Sequence, residues 1–253
     1  MMIGFTNRIA VVTGASSGVG RAIALALAAD GATLCLVGRH EKTLEAVAES
    51  VQAAAPHVRC YRADLTLDRD IQGLAAQLQS DVGHVDLLIH SAGAIALGPL
   101  ESGPVEDLDW QYGINVRAPY VLTQALLPLL RPRQGQIVFM NSSVGLNARA
   151  NVGQYAATKH ALKAIADSLR DEVNAEGIRV LSVFLGRTAT PMQASVHAME
   201  GKAYRPELLI QPEDVAAVVL HAVSMPRSAE VTEISIRPLK KPNSSTHPAN
   251  PFH

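Results

Sequence analysis

The sequence predicts an α/β fold, a single domain in which a doubly wound parallel sheet of about seven strands carries helices on both faces. Short segments rich in valine, isoleucine and leucine alternate along the chain with longer amphipathic segments, which is the pattern of repeated βαβ units. The short segments, such as Thr33–Gly38, are apolar throughout, as strands are when helices cover both of their sides. With 253 residues and 48% hydrophobic content, the chain can bury one large core.

Each predicted strand ends at a residue that turns the chain. Glycine closes most of these segments, and threonine, serine or proline closes the others; all four residue types are common where strands give way to turns. In chain order the predicted strands are Arg8–Gly14, Thr33–Gly38, Val58–Thr66, Val85–Gly93, Gly135–Ser143, Ile178–Gly186 and 231–238.

The segments between these strands repeat apolar residues at the spacing of an amphipathic helix. The first of them stops at Gly31, a residue type that commonly ends helices. In chain order the predicted helices are Gly20–Gly31, Lys42–Ala54, 71–83, Glu106–Leu130, Gln154–Leu169 and 212–224. The composition does not break between two domains, so we expect one domain over residues 1–240 and a polar, flexible tail over 241–253.

The net charge and the cysteine content argue against several classes of protein. A formal charge of -1 predicts no nucleic-acid or membrane-surface partner, and no apolar segment approaches the roughly 20 residues that span a bilayer. Cys35, Cys60 and the scattered histidines lack metal-ligand spacing. The N-terminal residues do not have the pattern of a signal peptide. We therefore expect a soluble, cytoplasmic protein without a metal site.

A glycine-rich loop, TGASSGVG, joins the first predicted strand to the first predicted helix. Gly14, Gly18 and Gly20 allow a tight turn and let the backbone approach a ligand, and the helix N-terminus offers N–H groups to a pyrophosphate. The spacing differs from the usual G-x-G-x-x-G, and a simple strand-to-helix turn would also need glycine. The position on the first βα unit nevertheless favours a nucleotide-binding Rossmann fold.

The second predicted strand ends in LVGRH, where NAD-dependent Rossmann proteins usually carry a carboxylate for the ribose 2′-hydroxyl. Here Gly38 is followed by Arg39, and no acidic residue is present. A guanidinium can bind a 2′-phosphate through two hydrogen bonds, and Ser16 could add a hydroxyl donor. An exposed arginine after a strand is also common. Because the carboxylate is missing, the pattern favours NADP(H) over NAD(H).

Tyr155 and Lys159 lie four residues apart near the start of the predicted helix Gln154–Leu169 and so share one face. An ammonium near a phenol favours the phenolate and lowers the tyrosine pKa from its free value near 10. Such a tyrosine can donate a proton to a carbonyl oxygen or accept one from an alcohol. Because this spacing also arises by chance on solvated helices, the pair supports such chemistry only together with other motifs.

Six motifs occur in the order, and at nearly the spacing, that is typical of the short-chain dehydrogenase/reductase family. They are TGASSGVG, SAG, Asn115 within GINVRAPY, NSS, YAATK and GRTATPM, and the match runs from about Asn7 to Met192. On this set the chain is identified as a member of the family. The resemblance implies hydride transfer between a nicotinamide cofactor and a carbonyl or alcohol.

The resemblance also implies roles for individual residues. Tyr155 is expected to be the catalytic acid/base, and Lys159 to hold the nicotinamide ribose and lower the tyrosine pKa. Asn115 is expected to hold a water that links Lys159 to solvent. The expected cofactor-binding residues include the glycine loop and Arg39, and the full set is Gly14, Ser16, Ser17, Gly18, Val19, Gly20, Arg39, Asp64, Leu65, Ala92, Gly93, Asn115, Tyr155, Lys159, Gly186, Thr188 and Thr190.

Two serines compete for the role of hydrogen-bonding the substrate oxygen. Ser142 lies 13 residues before Tyr155, which is the usual gap in the family that the chain resembles. Ser143 has the motif context, as the second serine of a pair. A one-residue deletion in the following loop is easier than moving a catalytic group along a strand, since one step turns a side chain to the other face. We therefore choose Ser143 and keep Ser142 as the alternative.

Two departures from the family pattern stand close to these motifs. His90 replaces the first asparagine of the family's N-N-A-G, and we expect this to be tolerated because the loop meets the cofactor through its backbone. A catalytic role for His90 would need an acidic partner, which the sequence does not suggest. Leu185 replaces the proline before Gly186, and we expect this to loosen the loop beneath the nicotinamide.

The sequence therefore predicts an NADP(H)-dependent oxidoreductase that interconverts a carbonyl and a secondary alcohol. The lid segment Met192–Gln211 contains Met199 and Tyr204 and favours a small, apolar substrate. The family resemblance implies a homodimer or homotetramer. The alternatives are the same chemistry with NAD(H), and a non-enzymatic NAD(P)-binding regulator, which would be expected to have lost Tyr155 or Lys159.

Overall fold

The strands predicted from the sequence form one parallel sheet. A computed structural model describes residues 4–240, so the predicted tail over 241–253 lies outside the described residues. The strands are β1 (Ile9–Thr13), β2 (Thr33–Gly38), β3 (Val58–Arg62), β4 (Leu87–His90), β5 (Gln136–Ser142), β6 (Arg179–Leu185) and β7 (Glu233–Ile236). All neighbours are parallel, in the order β3-β2-β1-β4-β5-β6-β7. This confirms the predicted doubly wound sheet.

Helices connect successive strands and cover both faces of the sheet. They are α1 (Gly18–Ala29), α2 (Glu41–Val51), α3 (Asp68–Asp81), α4 (Val105–Tyr112), α5 (Ala118–Leu130), α6 (Gly153–Val173), α7 (Pro191–Met199) and α8 (Pro212–Val223). Helix α1 begins at Gly18, two residues before the predicted start. Helix α7 lies in the segment that the sequence marks only as a lid. It begins because Pro191 suits a first helical turn and the hydroxyl of Thr190 accepts a hydrogen bond from the Gln193 N–H at 3.2 Å.

The predicted helix Glu106–Leu130 is interrupted by a π-helical turn at Gly113–Arg117, between α4 and α5. Pro119 supplies the physical reason, because it has no N–H to donate to the carbonyl four residues earlier, that of Asn115. The wider turn absorbs this missing bond. It leaves Asn115 buried within the turn and beside the loop that follows β4.

Alternate residues of each central strand enter one of two hydrophobic cores. On β2, Leu34 and Leu36 pack into the core beneath α1, α2 and α8, whereas Cys35 and Val37 pack into the core beneath α3, α5 and α6. Both cores are buried, which explains why the strand sequences are apolar throughout. Among residues 4–240, no helix is both long and apolar enough to cross a membrane.

The order of strands reverses between β1 and β4, which lie side by side at the centre of the sheet. The chain runs outward from β1 to β3 and then returns to β4. In sheets of this kind, the loops after these two central strands separate at their C-terminal ends and leave a crevice that binds ligands. The loop after β1 is the glycine loop, and the loop after β4 contains Ala92 and Gly93.

Candidate active site

The glycine loop is held against its surroundings by backbone contacts that leave no room for side chains. Gly14 has a φ of 64°, and a Cβ built on it would lie 2.8 Å from the amide nitrogen of Ala92. A Cβ on Gly20 would overlap the carbonyl oxygen of Gly14. Gly18 has a φ of 52°, and its Cβ position lies 3.0 Å from the methyl group of Thr190. The loop is therefore closed tightly between the segments that follow β4 and β6.

Thr13, the last residue of β1, orders the segment that follows β4. Its hydroxyl oxygen accepts hydrogen bonds from the N–H groups of Ser91 at 3.0 Å and of Ala92 at 3.1 Å, and its hydroxyl donates to the carbonyl of Ile89 at 3.2 Å. Sequence reasoning missed this residue. The sequence signal was a threonine at the end of the apolar strand that leads into the glycine loop.

The predicted adenosine end of the site lies at the C-terminal ends of β2 and β3. Asp64 accepts hydrogen bonds from the Thr66 hydroxyl at 2.7 Å and from the Thr66 N–H at 3.0 Å. The Thr66 hydroxyl, with a smaller contribution from the Arg39 guanidinium, holds the pKa of Asp64 below its usual value. Arg39 itself is exposed. Its charge is therefore close to Asp64 and accessible from solvent.

Other predicted cofactor residues differ in how their side chains are placed. Ser16 is half-buried and Ser17 is exposed, directly before α1. The side chains of Val19 and Leu65 pack against the two cores. Val19 and Leu65 can therefore offer a ligand little beyond their backbone groups.

Tyr155 and Lys159 lie on one face at the start of α6, as predicted. The Lys159 Nζ lies 5.7 Å from the centre of the Tyr155 ring and donates a hydrogen bond to the Met140 carbonyl at 3.0 Å. Burial lowers the pKa of Lys159 to about 8. Burial also raises the pKa of Tyr155 to about 12, against the opposing effect of the nearby Ser142 hydroxyl.

The predicted lowering of the Tyr155 pKa by Lys159 is therefore wrong for the protein without a ligand. The ammonium points to a backbone carbonyl beneath the ring rather than to the phenol oxygen. Because Lys159 is buried and Tyr155 is half-buried, desolvation disfavours the phenolate and the ammonium alike. The pair is arranged so that the phenol keeps its proton at neutral pH.

Of the two candidate serines, Ser142 is the one close enough to the Tyr155 hydroxyl to lower its pKa. Which of the two meets the substrate oxygen stays a prediction. Ser142 is the last residue of β5, whereas Ser143 begins the short 3₁₀ turn Ser143–Gly145. One step along the strand turns the side chain away from the neighbour that its predecessor meets. The choice of Ser143 assumed a one-residue deletion in the following loop, and the proximity of Ser142 to Tyr155 favours the alternative with the 13-residue spacing.

Two buried asparagines connect α6 to the rest of the site. Asn115 Oδ1 accepts from the Ala94 N–H at 2.9 Å, and Asn115 Nδ2 donates to the Ala94 carbonyl at 2.9 Å and to the Thr158 hydroxyl at 3.1 Å. Asn141 Nδ2 donates to the Lys159 carbonyl at 3.1 Å, and its Oδ1 accepts from the N–H of Ser142 at 2.7 Å. Sequence reasoning gave Asn141 no role, although it is the first residue of the NSS motif.

The segment after β6 closes the site opposite the glycine loop. Thr188 is buried and Thr190 is half-buried, and the Ala189 N–H donates to the Ile210 carbonyl at 2.8 Å. Leu185, which was expected to loosen this segment, pairs with Ser142 on β5 and with Ile236 on β7. These pairings hold Leu185 itself within the sheet, and the expected loosening of the loop that follows it stays a prediction.

His90 is a neutral part of the core rather than a catalytic base. Its ring stacks on Phe139 with 4.9 Å between ring centres, and its Nε2 lies 2.9 Å from the Thr123 hydroxyl. Burial lowers the pKa of His90 to about 3. It therefore joins β4 to β5 and α5, and its ring stays uncharged at neutral pH.

The lid helix α7 is tied to the segment after β6 by polar contacts. Arg187 forms an ion pair with Glu200 and lies 3.4 Å from Nε2 of the buried His197. Met192 and Met199 are exposed. The apolar substrate that these methionines favoured stays a prediction.

Comparison with known proteins identifies relatives for nearly the whole chain. The sequence profile of the short chain dehydrogenase family matches residues 8–201. An uncharacterised oxidoreductase of Staphylococcus epidermidis is 33% identical over 92% of this chain and 98% of its own length. A similar oxidoreductase of Staphylococcus aureus is 31% identical with the same coverage of both chains.

Solved structures of related proteins match the fold described above. An alcohol dehydrogenase from the archaeon Thermococcus sibiricus, complexed with 5-hydroxy-NADP, has a TM-score of 0.84 at 26% identity and covers 93% of this chain and 98% of its own. A short chain dehydrogenase of Escherichia coli, complexed with NADPH, has a TM-score of 0.83 at 33% identity and covers 91% of this chain and 97% of its own.

Proposed function

This chain belongs to the short-chain dehydrogenase family and is an oxidoreductase, and on that premise we propose that it interconverts a carbonyl compound and a secondary alcohol with NADP(H). The observation that carries the proposal is the meeting of Tyr155 and the buried Lys159 beside Gly93 of the segment after β4, with Ser142 near the phenol. A phenol, a hydroxyl and a cation in this arrangement can transfer a proton to or from an oxygen. The carbonyl class is proposed on this ground alone.

The crevice fits a dinucleotide because the glycine loop turns tightly, with a positive φ at Gly14 and at Gly18, directly before the N-terminus of α1. The N-terminus of α1 attracts a pyrophosphate, and Thr188 and Thr190 lie on the opposite side of the loop. We propose that these residues, with Ala92 and Gly93, hold the cofactor, and that Lys159 holds its nicotinamide ribose. When bound, the nicotinamide would donate or accept the hydride.

In the direction of carbonyl reduction, the Tyr155 hydroxyl would donate its proton to the substrate oxygen. The pKa of about 12 that burial gives Tyr155 keeps this proton in place at neutral pH, so the phenol is ready to act as an acid. The Ser142 hydroxyl would hold the same oxygen. Lys159, with a pKa of about 8, is charged at neutral pH and would stabilise the phenolate that remains.

Asn115 would act by fixing the positions of the residues to which it is hydrogen-bonded. Its side chain bonds the loop at Ala94 and the helix at Thr158, so it fixes the distance between the two walls of the site. The water that the family resemblance gives to Asn115, linking Lys159 to solvent, is part of the same proposal.

The preference for NADP(H) is proposed from the exposed Arg39 and from the absence of an acidic residue at the end of β2. Arg39 lies close enough to Asp64 to lower its pKa. The guanidinium would therefore attract both the Asp64 carboxylate and a bound 2′-phosphate. A bidentate charge-assisted contact to phosphate is stronger than an ordinary hydrogen bond. Loss of Arg39 should therefore weaken NADPH binding and leave NADH binding nearly unchanged.

The experiment is a fluorescence titration of the purified chain with NADPH and, separately, with NADH. Arg39→Ala should raise the NADPH Kd by about tenfold or more, whereas the NADH Kd should stay within about twofold. Arg131→Ala is the matched control, because Arg131 is an exposed arginine that pairs with Glu176 at the other end of the sheet. Equal or tighter binding of NADH by the unaltered chain would overturn the cofactor preference.

Turnover is tested with a panel of aldehydes and ketones in the presence of NADPH. Consumption of NADPH that Tyr155→Phe abolishes would support the proposed chemistry. If neither cofactor binds, or if turnover survives the loss of the phenol hydroxyl, the proposal fails.

A further inference from the structure

A buried glutamine outside the family motifs connects two walls of the site. Gln111, on α4, has none of its surface exposed. Its Oε1 accepts a hydrogen bond from the Ala96 N–H at 3.0 Å, and its Nε2 donates to the Asp107 carbonyl at 3.1 Å and to Gln154 Oε1 at 3.3 Å. The primary amide is therefore hydrogen-bonded at both of its ends.

Gln154 continues this chain of amides. Its Nε2 donates to the Pro104 carbonyl at 2.9 Å, and it directly precedes Tyr155 in the first turn of α6. Ala96 and Pro104 both belong to the loop of residues 94–104, which follows β4 and which we name the β4 loop. The two glutamines thus join the β4 loop to the residue next to the proposed catalytic acid.

Contacts at two other points bring the same segments together. The Gly98 N–H donates to the Asn151 carbonyl at 2.9 Å. The missing side chain of Gly153 leaves room for Leu100, because a Cβ built there would lie 2.7 Å from a Leu100 methyl group. Gly98, Leu100 and the two glutamines together dock the β4 loop onto the N-terminus of α6.

The chemistry of Gln111 indicates a specific purpose for this docking. An apolar side chain of similar length, such as methionine, could fill the same buried space without the cost of burying an amide. A glutamine is favourable there only because each bond is made, and made bonds fix direction and distance in a way that apolar packing does not. The amide therefore selects one arrangement of the β4 loop against α6.

We propose that Gln111 and Gln154 are positioning residues that hold the Tyr155 hydroxyl and the β4 loop in the geometry that proton transfer requires. Neither glutamine touches a reacting atom; both act through Tyr155 and the loop. A displacement of about 1 Å at a reacting group can cost on the order of 100-fold in rate, so a short chain of hydrogen bonds has a measurable effect. The inference rests on the proposed role of Tyr155.

The test compares Gln111→Met, Gln154→Met and the double variant. The control is Gln124→Met, which removes an exposed glutamine whose Nε2 bonds only the Tyr120 hydroxyl, at 3.0 Å, among the described residues. With the carbonyl that the unaltered chain reduces fastest, each single variant should lower kcat by about tenfold and leave KM and the NADPH Kd within about twofold. The double variant should be no slower than the slower single variant, because either change breaks the same chain.

Hydrogen exchange supplies a readout that does not depend on turnover. In Gln111→Met, amide exchange should increase in residues 94–104 and in the first turn of α6 together, and should stay unchanged in β7. The proposal is overturned if kcat is unchanged, if KM and kcat change together, or if exchange increases in only one of the two segments. Failure of the proposed function would appear differently, as an unaltered chain that reduces no carbonyl while the coupled exchange persists.

Discussion

The two sides of the cleft are built in different ways. The cofactor side, residues 13–20 and 91–93, is shaped by close backbone contacts at Gly14 and Gly20. The catalytic side, around β5 and the start of α6, is shaped by buried polar side chains such as Asn115, Asn141 and Lys159, whose partners lie up to 43 residues away. The first arrangement tolerates no added atom, and the second tolerates no lost hydrogen bond. Substitutions on the two sides should therefore fail for opposite reasons.

The largest effect is expected from removing the phenol hydroxyl on the catalytic side. Tyr155→Phe keeps the ring that packs over Lys159 but removes the proton donor. We expect kcat for NADPH-dependent carbonyl reduction to fall by about 1,000-fold, within the range for loss of a general acid. The NADPH Kd should stay within about twofold, and steady-state kinetics together with a fluorescence titration measures both. A loss of cofactor binding as large as the loss of rate would contradict the separation of the two sides.

The next effect separates the two neighbouring serines. Ser142→Ala removes the hydroxyl that lies near the Tyr155 phenol and should lower kcat by about 100-fold, as removal of one oxyanion donor does in other enzymes. Ser143→Ala is the matched control, with the same atoms removed one residue later, and should change kcat by less than about threefold. A reversal of this order would restore the choice that the motif context favoured.

On the cofactor side, an added methyl group should lower both the stability of the fold and the affinity for NADPH. Gly20→Ala places a Cβ against the Gly14 carbonyl, so the glycine loop must open. We expect a free energy of unfolding lower by about 1–3 kcal/mol and an NADPH Kd raised by about 30-fold or less. Urea unfolding and the fluorescence titration measure the two quantities.

Gly73→Ala, on α3, is the control for this substitution. A Cβ at Gly73 meets nothing within 4 Å, so the change should leave cofactor binding intact. It should raise the free energy of unfolding by up to about 1 kcal/mol, because alanine favours a helix over glycine. Equal damage from the two changes would show that the clash at Gly20 is not what limits the loop.

The fold was predictable because its signals are local. Apolar runs closed by glycine or another turn residue marked the strands, and their alternation with helices predicted a parallel sheet. The break in the predicted helix Glu106–Leu130 was missed although Pro119 lies in its middle, because a proline inside a helix can kink the helix without ending it. In the folded chain the break takes the form of a π-helical turn that contains the buried Asn115.

The site was predictable only where it is local in sequence. The glycine loop and the Tyr155–Lys159 pair each lie within eight residues and were found. The choice between Ser142 and Ser143 depends on which way one strand residue points, and the sequence does not give this direction. The pKa of Tyr155 depends on burial, which no motif reports. Gln111 could not be found because its partners, Ala96 and Gln154, are distant in sequence and have no distinctive pattern.

The smallest effect is expected at His90, which ends β4 and stacks on Phe139 of β5, between the cofactor side and the catalytic side. Burial lowers the pKa of His90 to about 3, against about 6.5 for an unfolded chain. Between these values the unfolded state binds the additional proton, so stability falls as the pH drops below 6.5 and stops falling near 3. From pH 7 to pH 5 this one group should cost about 2 kcal/mol.

His90→Asn, which restores the residue type of the family motif, should remove most of that dependence. The measurement is the free energy of unfolding in urea at pH 7, 6 and 5 for the unaltered chain and the variant. His57→Asn, at an exposed histidine before β3, separates the loss of a buried imidazole from the loss of any imidazole. If the unaltered chain and His90→Asn lose stability equally on acidification, the buried ring is not what makes the centre of the sheet sensitive to acid. The stack on Phe139 would then have to accommodate a charged imidazole, which the apolar surroundings of the two rings make costly.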